Sequence, residues 1–154
     1  MSPAMEICVD ASLAVKVVVT EWDSDKADAL FDQWANEGKQ LIAPVFFEVE
    51  TDSILRQKAA VRKELTPEQA GAAFGKLRAL PIQQVSEPAQ RQRAWEISTD
   101  FGLTTVYDAT YLALAELRGC EFWTADERLF NAVKDKFSFV KWLGLYVPKT
   151  SSPI

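Results

Sequence analysis

The 154-residue chain contains no histidine. That absence removes the Ser-His and Cys-His nucleophile pairs, the two-histidine acid/base route of some ribonucleases, and every histidine-ligated zinc site. Cysteine is nearly missing too, with two in the whole chain, Cys8 and Cys120. Both lie in apolar, strand-like stretches, so buried free thiols are expected rather than a disulfide. No apolar run approaches the ~20 residues of a membrane span. No basic-then-apolar leader is seen, and the expectation is a cytoplasmic protein with no membrane partner. Positive charge is also short: 17 Lys and Arg against 22 Asp and Glu leave a net charge of −5. Such a balance argues against nucleic-acid binding by the whole surface, though it leaves room for a local basic patch. Any catalysis must run on carboxylates, Lys, Tyr or a metal held by oxygen.

What the chain has instead is acids at the ends of short apolar segments. Residues 5–9 read as a buried strand ending in Asp10, and Ser12 is suited to N-cap a helix over 13–19. A second helix runs from 23 to 34 and closes near Gly38. A strand at 40–43 follows. Pro44 then fits the first position of a helix, where its missing N–H costs nothing. That helix offers Val45, Phe46, Val49 and Leu55 to a core and carries Glu48 one turn in. Thr66, Pro67 and Glu68 open a helix to residue 80, a strand covers 81–85, and Ser86-Glu87-Pro88 open a helix to 97.

The stretch 105–126, TVYDATYLALAELRGCEFWTAD, is the most informative. Its helix is apolar on nearly every face and so reads as buried, yet Asp108 sits in the first turn without a neighbouring Lys or Arg. Gly119 closes that helix, residues 121–124 form a strand, and Asp126 starts a further helix to 134. A last strand falls within 137–143. The chain is expected to be one domain over 1–154, with a core over 5–147 and a tail over 148–154. Five short strands mostly separated by helices predict an α/β sandwich around a mostly parallel sheet.

In such a sheet the strand ends and the following helix starts share the C-terminal edge, where ligands bind. Asp10, Glu48, Asp108 and Asp126 all fall there. Four acids brought together repel and raise one another's pKa unless a cation lies between them. Oxygen ligands without His or Cys suit Mg²⁺ or Mn²⁺. For each acid the plainer reading is a helix cap or a hydrogen-bonded buried acid, and Asp126 in particular is placed to cap its helix. Asp52 shares the face of Glu48, whereas Glu50 and Glu127 read as surface acids. The basic run Arg56, Lys58, Arg62, Lys63 reads as a solvated helix end before it reads as a nucleic-acid track. Trp22, Trp34, Trp95 and Trp142 read as core or interface anchors.

The segments VDASLAVKVVVTE (9–21), APVFFEVETDSIL (43–55) and 105–126 together, in this order, resemble the PIN-domain nucleases, and within them the VapC-type ribonuclease toxins. The resemblance implies a PIN-like α/β/α sandwich with a central five-stranded sheet. It assigns Asp10, Glu48, Asp108 and Asp126 to an acidic tetrad that binds Mg²⁺ or Mn²⁺, with Ser12 and Thr124 as supporting polar residues. Lys16 matches a family lysine with a possible phosphate contact. The resemblance further implies hydrolysis of RNA to 5′-phosphate and 3′-hydroxyl ends, a homodimer, and a small VapB-type antitoxin as partner. Thr51 stands where the family often has Asn, and Trp123 where it has an aliphatic residue.

Other readings are a PIN-like nuclease acting on DNA or flaps and a catalytically idle PIN-like binding module. A doubly wound phosphoryl-transfer domain with Asp10 as acceptor fits poorly. No acidic residue precedes Asp10, and the second Asp wanted by one such phosphatase class is Ser12 here.

Overall fold

A computed structural model describes residues 5–149. Residues 1–4 and, of the expected tail, residues 150–154 lie outside the described residues. Five strands, β1 (Glu6–Val9), β2 (Gln40–Ala43), β3 (Ile82–Gln84), β4 (Glu121–Thr124) and β5 (Val140–Trp142), form one sheet in the order β3-β2-β1-β4-β5. Every pairing is parallel: Cys8 lies opposite Ile42 and Phe122, and Thr124 opposite Trp142. The chain steps one way from β1 to β3 and then returns across the sheet to β4. This reversal places a topological switch point between β1 and β4, the position at which open parallel sheets take ligands.

Helices α1 (Ala11–Val18), α2 (Ser24–Asn36), α3 (Phe47–Ala60) and α4 (Pro67–Ala79) carry the chain through the β1-to-β3 crossovers and pack on one another. Helices α5 (Gln90–Asp100) and α6 (Tyr107–Arg118) form a close pair on the return, and α7 (Glu127–Val133) joins β4 to β5. Right-handed crossovers put the first group on one face and the second on the other. The sheet is thus covered on both sides, which explains why its inner strands are apolar at successive positions. Cys8 and Cys120 are free and buried among them. Among the described residues no helix is long and apolar enough to cross a membrane.

Local chemistry sets most boundaries. Thr66 and Gln69 form a reciprocal capping box, with Pro67 as the first helical residue of α4. Gly119 ends α6 with φ +65°, a left-handed conformation that a side chain resists. Two starts differ from expectation. Asp10, not Ser12, caps α1: its Oδ1 accepts the Leu13 N–H at 3.0 Å. Helix α3 begins at Phe47 rather than at Pro44, because residues 44–46 make a turn closed by the Phe47 N–H on the Pro44 carbonyl, 3.0 Å.

The inner face of α3 differs from expectation as well. Phe47, Thr51, Leu55 and Lys58 are buried, whereas Val45 and Val49 are 62% and 69% exposed. The buried stripe includes a lysine because Lys58 Nζ reaches Glu21 and Glu64, each at 3.2 Å. Glu21 and Asp23 also hold Lys16, at 2.7 and 3.0 Å. Neither lysine is therefore presented to a phosphate.

Candidate metal centre

Asp10 is the fixed point of the site. Strand β1 delivers it to the C-terminal edge, and its own backbone N–H continues the ladder to the Trp123 carbonyl at 3.3 Å. The side chain is 5% exposed and accepts three hydrogen bonds. Ser12 donates its hydroxyl to Oδ1 at 2.7 Å, the Leu13 N–H reaches the same oxygen, and Thr124 donates to Oδ2 from the end of β4. Ser12 and Thr124 are themselves anchored. The Ser12 Oγ accepts the Ala125 N–H at 3.2 Å, and the Thr124 Oγ1 accepts the Asp126 N–H at 3.0 Å. Both hydroxyls thereby tie the ends of β1 and β4 together across the switch point.

Asp126 caps α7, its Oδ1 accepting the N–H groups of Arg128 and Leu129 at 3.0 and 3.3 Å. Asp108 stands in the first turn of α6, and Tyr111 lies one turn further on the same side. Asp10, Ser12, Asp108, Tyr111 and Asp126 line one cavity of about 100 Å³. The glutamate that joins them is Glu50 of α3, with Ile54 one turn beyond it. Glu48 does not. It is exposed, and with Thr51, Asp52 and Arg78 it lines a separate cavity of about 230 Å³. Two positions along a helix are about 200° apart, so a helix that shows Glu50 to the site turns Glu48 away. The expectation that Glu48 faces the acidic cavity is corrected by this phase. The apolar Val45 and Val49 suggested an inner face that the buried Phe47–Thr51–Leu55 stripe replaces.

Electrostatics mark the cavity as short of positive charge. Burial pushes the Asp10 carboxyl up to about 7, against the pull of the hydrogen bonds from Thr124, Ser12 and Leu13, and Asp108 adds to the rise. Asp108 is raised by burial and then by Asp126, with Arg128 opposing. Glu50 is raised by burial and by Asp108, with the Tyr111 hydrogen bond opposing. Each of the three is thus raised partly by another acid of the same cavity, the pattern that a bound cation relieves. Among the described residues the acids are not drawn into a closed cage, and no group of three or more is positioned to enclose an ion as it stands. The arrangement is an open acidic cup with one rigid member. Its donors are all oxygens, a set that fits Mg²⁺ or Mn²⁺ and not a thiolate- or imidazole-seeking metal.

Comparison with known proteins bears on the family and the fold. The PIN domain family model matches residues 7–136. The chain is 32% identical over 133 residues to Ribonuclease VapC3 of Mycobacterium tuberculosis, in both strain CDC 1551 / Oshkosh and strain H37Rv, covering 85% of this chain and 90% of each relative. Among solved structures, Mycobacterium tuberculosis VapC20, described as a Sarcin-Ricin loop cleaving toxin, superposes with a TM-score of 0.58 at 20% identity, over 82% of this chain and 94% of that one. PAE2754 from Pyrobaculum aerophilum gives 0.60 at 22% identity, over 84% and 85%. These two likenesses show the shared fold. With the family model covering most of the chain and a ribonuclease relative aligned along nearly its whole length, the chain belongs to the PIN-domain family, among its VapC-type members.

Proposed function

We propose that this protein is a Mg²⁺- or Mn²⁺-dependent endoribonuclease acting as the toxin of a VapBC-type pair. The observation that carries the reading is the buried Asp10 carboxylate. Both its oxygens are fixed by hydroxyls, while Glu50, Asp108 and Asp126 line the cavity beside it. Fixing a carboxylate this way, at a cost in burial, is what a ligand needs and what a plain helix cap does not. Asp10, Glu50, Asp108 and Asp126 would hold the ion, and Ser12 and Thr124 would orient Asp10. A bound divalent ion supplies Lewis acidity, making water acidic enough to deprotonate near neutral pH and offsetting charge on the phosphate. The chain contributes the orientation of the ligands. The unsatisfied negative charge of the cup also keeps phosphate out until a cation is present.

The relative named Ribonuclease VapC3 supports RNA as substrate, and a VapB-type antitoxin follows from the same kinship. Self-association has support on the surface. Trp95, Val106 and Tyr107 are exposed at 66%, 43% and 52% along one groove of about 950 Å³. Phe46 lines the same groove and packs edge-on against Tyr111 of the acidic cavity, ring centroids 5.5 Å apart. A homodimer closed over this groove would bring two acidic cups near one another. RNA cleavage measured with Mg²⁺, with EDTA and with Asp10→Asn tests the reading. Cleavage unaffected by EDTA, or full activity in the variant, overturns it.

A further inference from the structure

The acidic cup contains one buried polar group that neither the fold nor the four-acid reading uses. Tyr111 is 1% exposed, is one of the residues lining the cavity, and donates its hydroxyl to Oε1 of Glu50 at 2.7 Å. The contact joins α6 to α3 across 61 positions of sequence. Its ring is held from two sides, edge-on by Phe46 at 5.5 Å and tilted against Phe122 at 5.6 Å between centroids. The backbone above it is engaged as well, since the Cys8 thiol donates to the Tyr111 carbonyl at 3.9 Å. The hydroxyl is therefore aimed by packing, not by Glu50.

Glu50 has no such constraint of its own. It is half-buried on a helix face, with three side-chain torsions to fix. Asp10 has Ser12 and Thr124, and Asp126 has the N–H groups of α7. Glu50 has Tyr111. We infer that Tyr111 is a positioning residue for the metal centre: its clamped hydroxyl selects the Glu50 rotamer that points into the cup and occupies Oε1, leaving Oε2 to face the ion. This inference rests on the proposed metal site and extends it to a residue outside the acidic set. Partners of this kind fix the orientation of ligating carboxylates, and their loss weakens metal affinity by about 10- to 100-fold.

The test is calorimetric titration of Mn²⁺ into the full chain as wild type, Y111F, E50Q and the double variant, with thermal melts of each in EDTA. Y111F keeps the ring and its contacts with Phe46 and Phe122. The expected result is Mn²⁺ binding about 10- to 100-fold weaker in Y111F with a cooperative melt retained. In the E50Q background the further change Y111F should then have little effect, because the hydroxyl acts through Glu50. Wild-type affinity in Y111F overturns the inference. So does an equal loss in both backgrounds, or a Y111F chain that no longer melts cooperatively, since the hydroxyl would then serve packing alone. If the wild-type protein itself binds no Mn²⁺, the metal-site reading fails first, and the two failures are told apart.

Discussion

Thr124 donates its hydroxyl to Oδ2 of Asp10, joining the ends of two neighbouring parallel strands from positions 114 residues apart. Thr124 is fully buried, so the bond is made away from competing water. Substituting Thr124→Val keeps the shape and removes the donor. A hydrogen bond to a charged group contributes about 1.5–3 kcal/mol, and its loss leaves one Asp10 oxygen without its donor. The variant is expected to fold, to lose RNA cleavage by at least tenfold, and to need more Mg²⁺ for half-maximal rate. A Mg²⁺ titration of cleavage rate checks this, and an unchanged curve contradicts it.

Glu48 and Glu50 provide an internal control, being two residues apart on one helix and turned to different cavities. Glu48→Gln should leave cleavage within about twofold of wild type and stability within about 0.5 kcal/mol, as for other exposed substitutions. Glu50→Gln should reduce cleavage by two orders of magnitude or more while the melting temperature in EDTA holds or rises. Parallel kinetic and thermal assays of the pair decide between the two glutamates.

The raised carboxyls make a prediction about pH. Asp10 ionises near 3.8 in the unfolded chain and at about 7 when folded and metal-free, so between those values the folded state holds more protons. Stability contributed by this group is therefore complete below about pH 4 and is lost as pH rises towards 7, by about 4 kcal/mol at most. Asp108 and Glu50 shift in the same direction. Glu21, lowered by its lysines against the effect of burial, acts oppositely at the acid end, its contribution being lost as pH falls through its folded pKa. Melting in EDTA should therefore show a fall in stability from about pH 5 to pH 7.5. Saturating Mg²⁺ should remove that fall, because the ion binds the ionised folded form. A metal-free melting temperature that rises over this range contradicts the assignment.

The groove lined by Trp95, Val106 and Tyr107 predicts an oligomeric state. Trp95 is an exposed aromatic of the kind that anchors interfaces, and placing a charge there should weaken association by about 30-fold or more. Light scattering after size exclusion should give a dimer for wild type and a monomer for Trp95→Asp at micromolar concentration. A wild-type monomer, or a variant that stays dimeric, sends the interface elsewhere.

Much of the architecture was readable because its signals are local. Apolar runs ending in Asp10 and Thr124, the Thr66-Pro67 start and the Gly119 stop mark elements that the structure also contains. Asp10, Asp108 and Asp126 follow from strand ends and helix starts, and all three line the cavity. Glu50 was not readable in the same way, because the buried face of α3 includes Thr51 and Lys58 while Val45 and Val49 face outward. Lys58 is buried through Glu21 and Glu64, partners from other segments that hydrophobic periodicity does not register. The signal that could have corrected the phase was Phe47, whose spacing to Thr51 and Leu55 marks the inner stripe once the helix starts after the proline turn. Tyr111 reads as core from its apolar helix, and only the fold brings its hydroxyl to Glu50.

The proposed activity depends on a cation in the cup bounded by Asp10, Glu50, Asp108 and Asp126. Crystals soaked in Mn²⁺ and measured for anomalous scattering locate the ion directly. The predicted result is a peak between these four carboxylates, with Oδ atoms of Asp10 among its ligands, that disappears in Asp10→Asn. A peak beside Glu48 and Asp52, or no peak in crystals of protein that still cleaves RNA, contradicts it.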